Sequence, residues 1–317
     1  MAPAVSIILP TYDRLEFLPA AIESVFAQSF TDWELLVADD GSSADTRTFL
    51  QALADPPRVR VIWLAHSGKP SVARNAALRE ARGEYVAFLD SDDVWLPGKL
   101  AAQMASLRRH PQRQWSYTRF AQVDAAGHAR ASANITDWPA PSGWILEKLL
   151  KDETVIALPS VVVSQLLLQQ LGGFDEELVM CEDDELWLRL AAHSEIDGID
   201  EPLTLIRRHG QHSGSDIAAW QDRRRVFDKA ARAGAGGQHD ALLRKLRVEM
   251  ATGLAKSQAA SGERLSVLGT LLSSVPYSWR YRAWWLGALA ATVKAFAPAG
   301  VQDVIRRYRR REIAQRG

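Results

Sequence analysis

Three short, almost wholly apolar runs constrain this chain more than any other feature: Val5–Leu9, Glu34–Ala38 and Tyr85–Leu89, each followed within two residues by a hydroxyl or carboxylate residue. Runs of this length fit strands buried on both faces, the pattern of a parallel sheet. Pro10 is expected to end the first strand. Between the runs the apolar spacing turns helical, with Phe17, Ala21 and Val25 leading to Gln28, then Thr46–Leu53 and Ser71–Arg82, and with a further strand at Arg58–Trp63. Strand and helix alternating this regularly predict a Rossmann-like α/β domain whose mostly parallel sheet carries helices on both faces.

Beyond Asp93 the pattern loosens. Pro97 opens a helix reaching about His110, where its missing N–H costs least. Trp115–Val123, Ser160–Ser164 and Pro202–Arg208 read as strands, Gly172-Gly173 stops a short helix, and Glu182–His193 reads as a helix with Leu186, Trp187 and Leu190 on one face. From Asp216 onward only helical spacing remains, interrupted at Gly234–Gly237 and Ser273–Ser278. A length of 317 residues suits two domains, and charge divides where the pattern does. Residues 1–215 hold 19 basic and 30 acidic residues, residues 216–317 hold 19 and 8, and the whole is neutral. The boundary is therefore expected between residues 215 and 216, and the basic second part suits phosphate, nucleic acid or an anionic membrane. Cys181 is the only cysteine, which excludes an internal disulfide and points to a reducing compartment. No run reaches the ~20 apolar residues of a membrane-spanning helix, and the start lacks the pattern of a secretory signal. A cytoplasmic location is expected.

In an open parallel sheet, ligands gather beyond the carboxyl ends of the strands. The residues there are Pro10-Thr11-Tyr12-Asp13, Asp39-Asp40-Gly41-Ser42 and Asp90-Ser91-Asp92-Asp93. Acidic groups are rarely buried without partners, so this edge is solvated or occupied by cations. No glycine precedes Gly41, so the dinucleotide fingerprint is missing after the first strand, and no P-loop sequence occurs either. Hydride transfer and P-loop phosphoryl transfer drop out. Asp90 and Asp92, two residues apart at a strand end, can approach one hard divalent cation that keeps positions open for phosphates, although Asp and Ser also suit a plain turn. Glu182-Asp183 opens a helix, where the dipole favours carboxylates in any case.

Taken in order, Val5-Ser6-Ile7-Ile8-Leu9-Pro10-Thr11-Tyr12, Asp39-Asp40-Gly41-Ser42, Ala73-Arg74-Asn75, Gly83-Glu84-Tyr85 with Asp90-Ser91-Asp92, and Gly172-Gly173-Phe174-Asp175 with Glu182-Asp183 resemble family 2 glycosyltransferases of the GT-A fold, over roughly residues 4–215. The resemblance implies transfer of a hexose from a nucleotide diphosphate donor, expected to be UDP-linked, to an acceptor hydroxyl with inversion. It places a divalent metal, Mn2+ or Mg2+, chiefly on Asp92, with Asp90 nearer the ribose. It gives Asp40 the N3–H of uracil, lines the pocket with Pro10, Thr11 and Ser91, and lets Tyr12 stack on the base. Arg74 would lie against the nucleotide, His209 would reach the diphosphate or metal, Asp183 would be the general base and Glu182 would orient the acceptor. The sugar-reading contacts would lie in loops such as Ile135–Trp144. Cys181 would be a packing residue and Lys69 a loop charge. Two alternatives stay open. A sugar-1-phosphate nucleotidyltransferase would need a Gly- and Arg-rich loop where Thr11-Tyr12-Asp13-Arg14 stands, and an inactive nucleotide-sugar-binding module would not need Asp90, Asp92 and Asp183 together.

The basic part carries a separate expectation. Arg280, Arg282 and Lys294 bracket Ala283–Val293, which holds Trp284 and Trp285. Such a run is too short to span a bilayer but suits its interface, and Arg306-Arg307-Tyr308-Arg309-Arg310-Arg311 would add attraction to anionic lipid. Peripheral contact with an anionic membrane surface and a glycan or lipid-linked acceptor are expected, the alternative being a helical subdomain that packs its Trp residues on the catalytic domain. No nucleic-acid motif accompanies the basic cluster, so no nucleic-acid partner is expected.

Overall fold

The computed structural model describes residues 2–53, 58–128, 139–208, 216–232 and 237–297. It divides into two compact units, Met1–His212 and Ser213–Gly317. The first unit begins with β1 (Val5–Thr11), α1 (Leu18–Phe26), β2 (Trp33–Asp39), α2 (Ala44–Ala52), β3 (Val59–Trp63), α3 (Pro70–Glu80) and β4 (Tyr85–Phe88). It continues with β5 (Val94–Trp95), α4 (Lys99–Arg109), β6 (Trp115–Val123), α5 (Leu146–Leu150), β7 (Val161–Ser164), α6 (Gln165–Leu171), α7 (Glu182–His193) and β8 (Ile196–Arg207). The strands form one sheet in the order β3-β2-β1-β4-β7-β6-β8-β5. β1 pairs in parallel with β2 and β4, β2 with β3, and β6 with β8, whereas β7 runs antiparallel to both β4 and β6, and β5 to β8.

Alternation along the strands builds two cores. Ile8, Leu36, Ala38, Val86 and Phe88 face one side, where α3 and α7 supply Ala73, Ala77, Leu186, Trp187 and Leu190. Ile7, Leu9, Leu35, Val37 and Ala87 face the other, against Leu18, Ile22 and Val25 of α1 and Leu100 and Met104 of α4. Each fully buried aliphatic side chain contributes roughly 1.5–3 kcal/mol, which is why the central strands read as continuous apolar runs.

Three of the boundaries that differ from the sequence-based expectation have a clear physical reason. β1 runs through Pro10 to Thr11. Val5 N–H donates to Asp32 and Thr11 C=O accepts from Asp40, while Ile8 C=O accepts from Leu89, so the nitrogen of Pro10 faces the β4 side. β4 has already ended there, and the missing N–H removes no ladder bond. β8 starts at Ile196 rather than Pro202. Its early residues include Asp197, whose buried carboxylate is held by Ser106, by His110 Nδ1 at 3.1 Å and by Arg113 Nη1 at 2.5 Å. Burial alone would raise its pKa, but these donors bring it below the usual carboxylate value. In the second unit, Ser273–Ser278 does not interrupt a helix: α10 runs to Ser278 with Pro276 inside it, and although Pro276 donates no ladder bond, the Ser274 and Ser278 hydroxyls donate to the carbonyls of Leu271 and Ser274.

Gly83 illustrates how tightly the parallel strands are joined. A Cβ there would lie 2.5 Å from Ser6 N and 2.9 Å from Tyr85 O, and the Gly83 N–H donates to Ser6 Oγ at 2.8 Å. Backbone atoms cannot yield as a side chain can. Gly83→Ala is expected to destabilise by about 1–3 kcal/mol, seen as a lower denaturation midpoint at unchanged slope.

The second unit contains α8 (Asp216–Arg232), α9 (Asp240–Ala260), α10 (Arg264–Ser278) and α11 (Arg282–Phe296). Val248, Ala255, Val267, Leu271, Trp284 and Ala291 form its core. Trp284 is buried there and donates from Nε1 to Ser274 Oγ at 2.8 Å, whereas Trp285 is exposed. Among the described residues no helix is long and apolar enough to cross a membrane.

Candidate active site

β2, β1 and β4 are neighbours in the sheet and run parallel, so Asp39-Asp40, Thr11-Tyr12 and Asp90-Ser91-Asp92 emerge on one edge. α3 and α7 bring side chains to the same edge from the flank. Arg74 of α3 is the junction. Its buried guanidinium donates from Nη2 to Asp90 Oδ1 and from Nη1 to Glu182 Oε1, both at 2.7 Å, and lies 5.5 Å above the Phe174 ring. Burial opposes its positive charge, but Asp90 and Glu182 more than offset this and raise its pKa. The family resemblance implies a place for Arg74 against a nucleotide, and the fold sets it between the acidic turn after β4 and the first turn of α7.

The four acidic residues of that first turn divide in function. Glu182 is taken by Arg74. Glu185 is taken by Arg189, whose Nε lies 2.9 Å from both carboxylate oxygens and whose Nη1 and Nη2 donate to Leu171 O and Gly173 O at 2.7 Å. Asp184 is exposed. Asp183 is half-buried and its Oδ1 accepts the Asp184 N–H at 2.8 Å. Burial first, then the charges of Asp184 and Glu182, push its pKa well above the ordinary carboxylate value. Ahead of this turn Cys181 takes a left-handed conformation, φ 60°, uncommon for a residue with a side chain. It turns the chain into α7 and is not part of the core.

The turn before α7 is itself tied to α3. Asn75 Nδ2 donates to Phe174 O at 2.8 Å and to Glu176 Oε1 at 2.8 Å, and Phe174 N–H donates to Asn75 Oδ1 at 2.9 Å. Gly173 has φ 71°, and a Cβ on it would meet Asn75 Oδ1 at 2.7 Å. Lys69, expected to be a mere loop charge, donates from Nζ to Glu176 O at 2.8 Å.

After β4, Asp90 is part-buried, Ser91 is buried and Asp92 is part-buried. Burial raises the Asp90 pKa, Arg74 lowers it and Asp92 raises it again, leaving it above the ordinary value. Asp93 stands well above, through burial and then the charges of Asp90 and Asp92. Its Oδ1 accepts Arg207 N–H at 2.8 Å, while Arg207 Nε donates to Asp92 O at 3.0 Å, fixing the end of β8 to the acidic turn. Asp92, and Asp90 whose Oδ1 is taken by Arg74, carry hard carboxylate oxygens of the kind a divalent cation accepts. Among the described residues no three His, Cys, Asp or Glu side chains form a complete cage, and an Mg2+-type site needs only one or two carboxylates besides phosphates and water.

At the end of β2 the two aspartates differ in their partners. The Asp40 carboxylate is engaged by the loop after β3: Oδ1 accepts from Ser67 N at 2.9 Å and Ser67 Oγ at 2.8 Å, and Oδ2 accepts from Gly68 N at 2.9 Å. Asp39, only 1% exposed, receives among the described residues just the Ser42 N–H at 3.3–3.4 Å. Its register partner on β1 is Thr11, whose buried Oγ1 has no hydrogen-bond partner among the described residues. Asp39 and Thr11 are thus two under-satisfied polar groups side by side. Their signal in the sequence is position: the last residue of each strand, rather than the one after it. Pro10 is buried in β1, and the exposed Tyr12 ring stacks on His66, with centroids 4.0 Å apart. The fold therefore brings Thr11, Tyr12 and Asp40 to the ends of β1 and β2, and Arg74, Asp90, Ser91, Asp92, Glu182 and Asp183 around the Arg74 junction. His209, part of the loop Ile135–Trp144 and Arg306–Arg311 lie outside the described residues.

Comparison with known proteins gives a consistent picture. The family model described as Glycosyl transferase family 2 matches residues 6–161. The chain is similar to the UDP-Glc:alpha-D-GlcNAc-diphosphoundecaprenol beta-1,3-glucosyltransferase WfgD of Escherichia coli, 32% identical over 196 residues that cover 62% of this chain and 73% of WfgD. An uncharacterized glycosyltransferase of Rickettsia felis is 31% identical over 206 residues, 65% of this chain and 33% of that protein. The chain spans about a third of the length of the Rickettsia felis, Rickettsia bellii and Rickettsia conorii relatives it matches. Among solved structures, S. aureus TarS 1-349 in complex with UDP-GlcNAc superposes with a TM-score of 0.70 over 97% of this chain and 92% of that one, at 19% identity. That likeness is one of fold.

Proposed function

The chain belongs to glycosyltransferase family 2, and on that premise we propose that it transfers a sugar from a UDP-linked donor to an acceptor hydroxyl in one inverting displacement. The observation that carries the proposal is the Arg74 junction, which holds Asp90 and Glu182 on one guanidinium and so puts the acidic turn after β4 beside Asp183. Residues 1–215 are proposed as the catalytic domain and 216–317 as an accessory helical region meeting the membrane surface.

Each residue has a task set by its surroundings. Asp183 takes the proton of the acceptor hydroxyl as the new bond forms, and its raised pKa makes it a better base than an ordinary carboxylate. Glu182, held by Arg74, orients that hydroxyl. The Asp39 carboxylate and Thr11 Oγ1 can satisfy the N–H and C=O groups of a pyrimidine, while Asp40 shapes the pocket wall by holding Ser67 and Gly68. Tyr12 offers the ring face not covered by His66. Asp92, with Asp90, would hold a divalent cation, which when bound supplies charge stabilisation for the leaving diphosphate. His209 is proposed to aid the same group. Orientation of donor and acceptor by these contacts supplies much of the rate. WfgD is named for a diphosphoundecaprenol-linked acceptor, and a lipid-linked or glycan acceptor in surface-polysaccharide assembly is proposed here.

A thermal-shift screen of nucleotide sugars, with and without Mn2+, tests this directly. UDP-sugars are expected to stabilise by about 2.7 kcal/mol at a hundredfold excess over Kd, more than GDP- or ADP-sugars. Mn2+ should enlarge the shift, and Asp92→Asn should remove that enlargement. A screen in which no UDP-sugar stabilises the chain would count against the donor assignment.

A further inference from the structure

α10 and α11 each bury one face against α9 and leave the other bare. On α10 the bare residues are Leu265, Leu268, Leu272, Val275 and Trp279, in 3-4-3-4 spacing, with Leu265 83% and Leu272 71% exposed. On α11 they are Trp285, Leu286, Leu289 and Phe296, with Leu289 63% exposed. The two helices are antiparallel neighbours. The Arg264 guanidinium lies 6.0 Å from the Phe296 ring at one end, and Trp285 Nε1 donates to Trp279 O at 2.8 Å at the other. The apolar stripes therefore run past each other, and an exposed run of this extent marks an interaction surface.

Charge selects the occupant. Residues 264–297 carry Arg264, Arg280, Arg282 and Lys294 and no Asp or Glu. Where the Trp279 end of α10 meets α9, a cavity of about 850 Å³ is walled by Arg244, Arg247 and Arg280 together with Tyr277, Trp279 and Tyr281. Arg247 is partly used, its Nε 2.5 Å from Asp228 Oδ1 and its guanidinium 4.0 Å over the Tyr277 ring. Arg280 stands 4.8 Å from the Trp279 ring. Neither Arg244 nor Arg280 forms an ion pair among the described residues, and Asp240, also on the wall, pairs with neither. A second copy seated on these stripes through a two-fold axis would set cations against cations with no carboxylate to answer them. A bilayer rich in anionic lipid answers both features, because its acyl boundary takes the Leu and Trp side chains and its phosphates take the arginines.

We propose that the α10–α11 hairpin is a docking face for anionic phospholipid, with a lipid phosphate seated in the Arg244–Arg247–Arg280 cavity. This rests on the membrane-surface reading of the second unit and deepens it by naming the face and the ligand chemistry. The hairpin lies on the bilayer rather than through it.

Sedimentation of the full chain with vesicles of phosphatidylcholine alone, or of phosphatidylcholine with phosphatidylglycerol, tests it. Binding is expected on the anionic vesicles and should weaken at high salt. Arg244→Gln with Arg280→Gln should lower the partition coefficient on anionic vesicles by about 25-fold, fivefold for each cation, and leave any weak binding to neutral vesicles unchanged. Leu272→Glu with Leu289→Glu should abolish binding to both. If that pair fails to fold, the arginine pair still decides. Absence of binding, or binding indifferent to lipid charge, would overturn the proposal. So would phosphate-induced stabilisation dependent on Arg244 and Arg280 without vesicle binding, which would make the ligand free phosphate. A Leu272-dependent dimer that does not bind vesicles would make the occupant a second copy and overturn it equally. UDP-sugar hydrolysis by the arginine variant should stay at the wild-type level. Failure of the glycosyltransferase reading would therefore appear in hydrolysis and failure of lipid docking in sedimentation.

Discussion

Asp183→Asn is expected to lower kcat for sugar transfer by about 10²–10⁴-fold while leaving UDP binding nearly unchanged. The asparagine keeps the shape of the side chain and can still accept the Asp184 N–H, but it cannot take a proton. The wild-type pH profile should show the same group. Because burial and the charges of Asp184 and Glu182 raise the Asp183 pKa well above its ordinary value, the base is lost to protonation at a higher pH than an ordinary carboxylate would be. Activity should therefore fall as pH drops through a midpoint displaced upward. Asp184→Asn removes one of the repelling charges and should move that limb toward lower pH. A profile that is flat down to the ordinary carboxylate range, or transfer that survives Asp183→Asn, would sink the base assignment.

Arg74→Ala should have the largest effect on stability and remove activity as well. It would leave Asp90 and Glu182, each 2.7 Å from the guanidinium in the wild type, facing each other without a cation between them. Breaking one partner of a buried ion pair costs about 3–5 kcal/mol, on the order of 10 °C in melting temperature for a unit of this size. The sign of the pH dependence separates this from a simple cavity. Asp90 already has a raised pKa with Arg74 pulling it down, and without Arg74 it would rise further. A carboxylate whose folded pKa exceeds its unfolded one destabilises fully above the folded value, and the deficit shrinks as pH falls toward the unfolded value. The variant's deficit should therefore narrow on acidification, as followed by melting temperature across pH. Arg74→Lys should recover part of the stability but little activity, since an ammonium cannot reach two carboxylates in fork geometry.

Much of the first unit was legible because local pattern is enough for it. β6 and α7 run over Trp115–Val123 and Glu182–His193, the spans their spacing predicts. Apolar runs ending in carboxylates place Asp39, Asp90 and Asp92 at strand ends by periodicity alone. The early part of β8 was not legible, since Asp197 looks like a loop residue until Ser106, His110 and Arg113 are seen to satisfy it. The second unit misled in the opposite sense: Ser273–Ser278 suggests a break, yet α10 runs through it with Pro276 inside the helix.

By itself, then, the order of residues determined the α/β class, the edge on which the polar strand ends collect and the separation of an acidic from a basic half. Only the tertiary structure decided how those polar groups are used. It engaged Asp40 with Ser67 and Gly68 and left Asp39 under-satisfied. It gave Glu182 to Arg74 and Glu185 to Arg189, and it buried Trp284 while exposing Trp285. The reason is range. Hydrophobic periodicity is read from neighbours three or four residues away, whereas the partner that sets a carboxylate's charge and reach can be far along the chain, as Glu182 is from Arg74, and becomes a neighbour only when the sheet and helices pack.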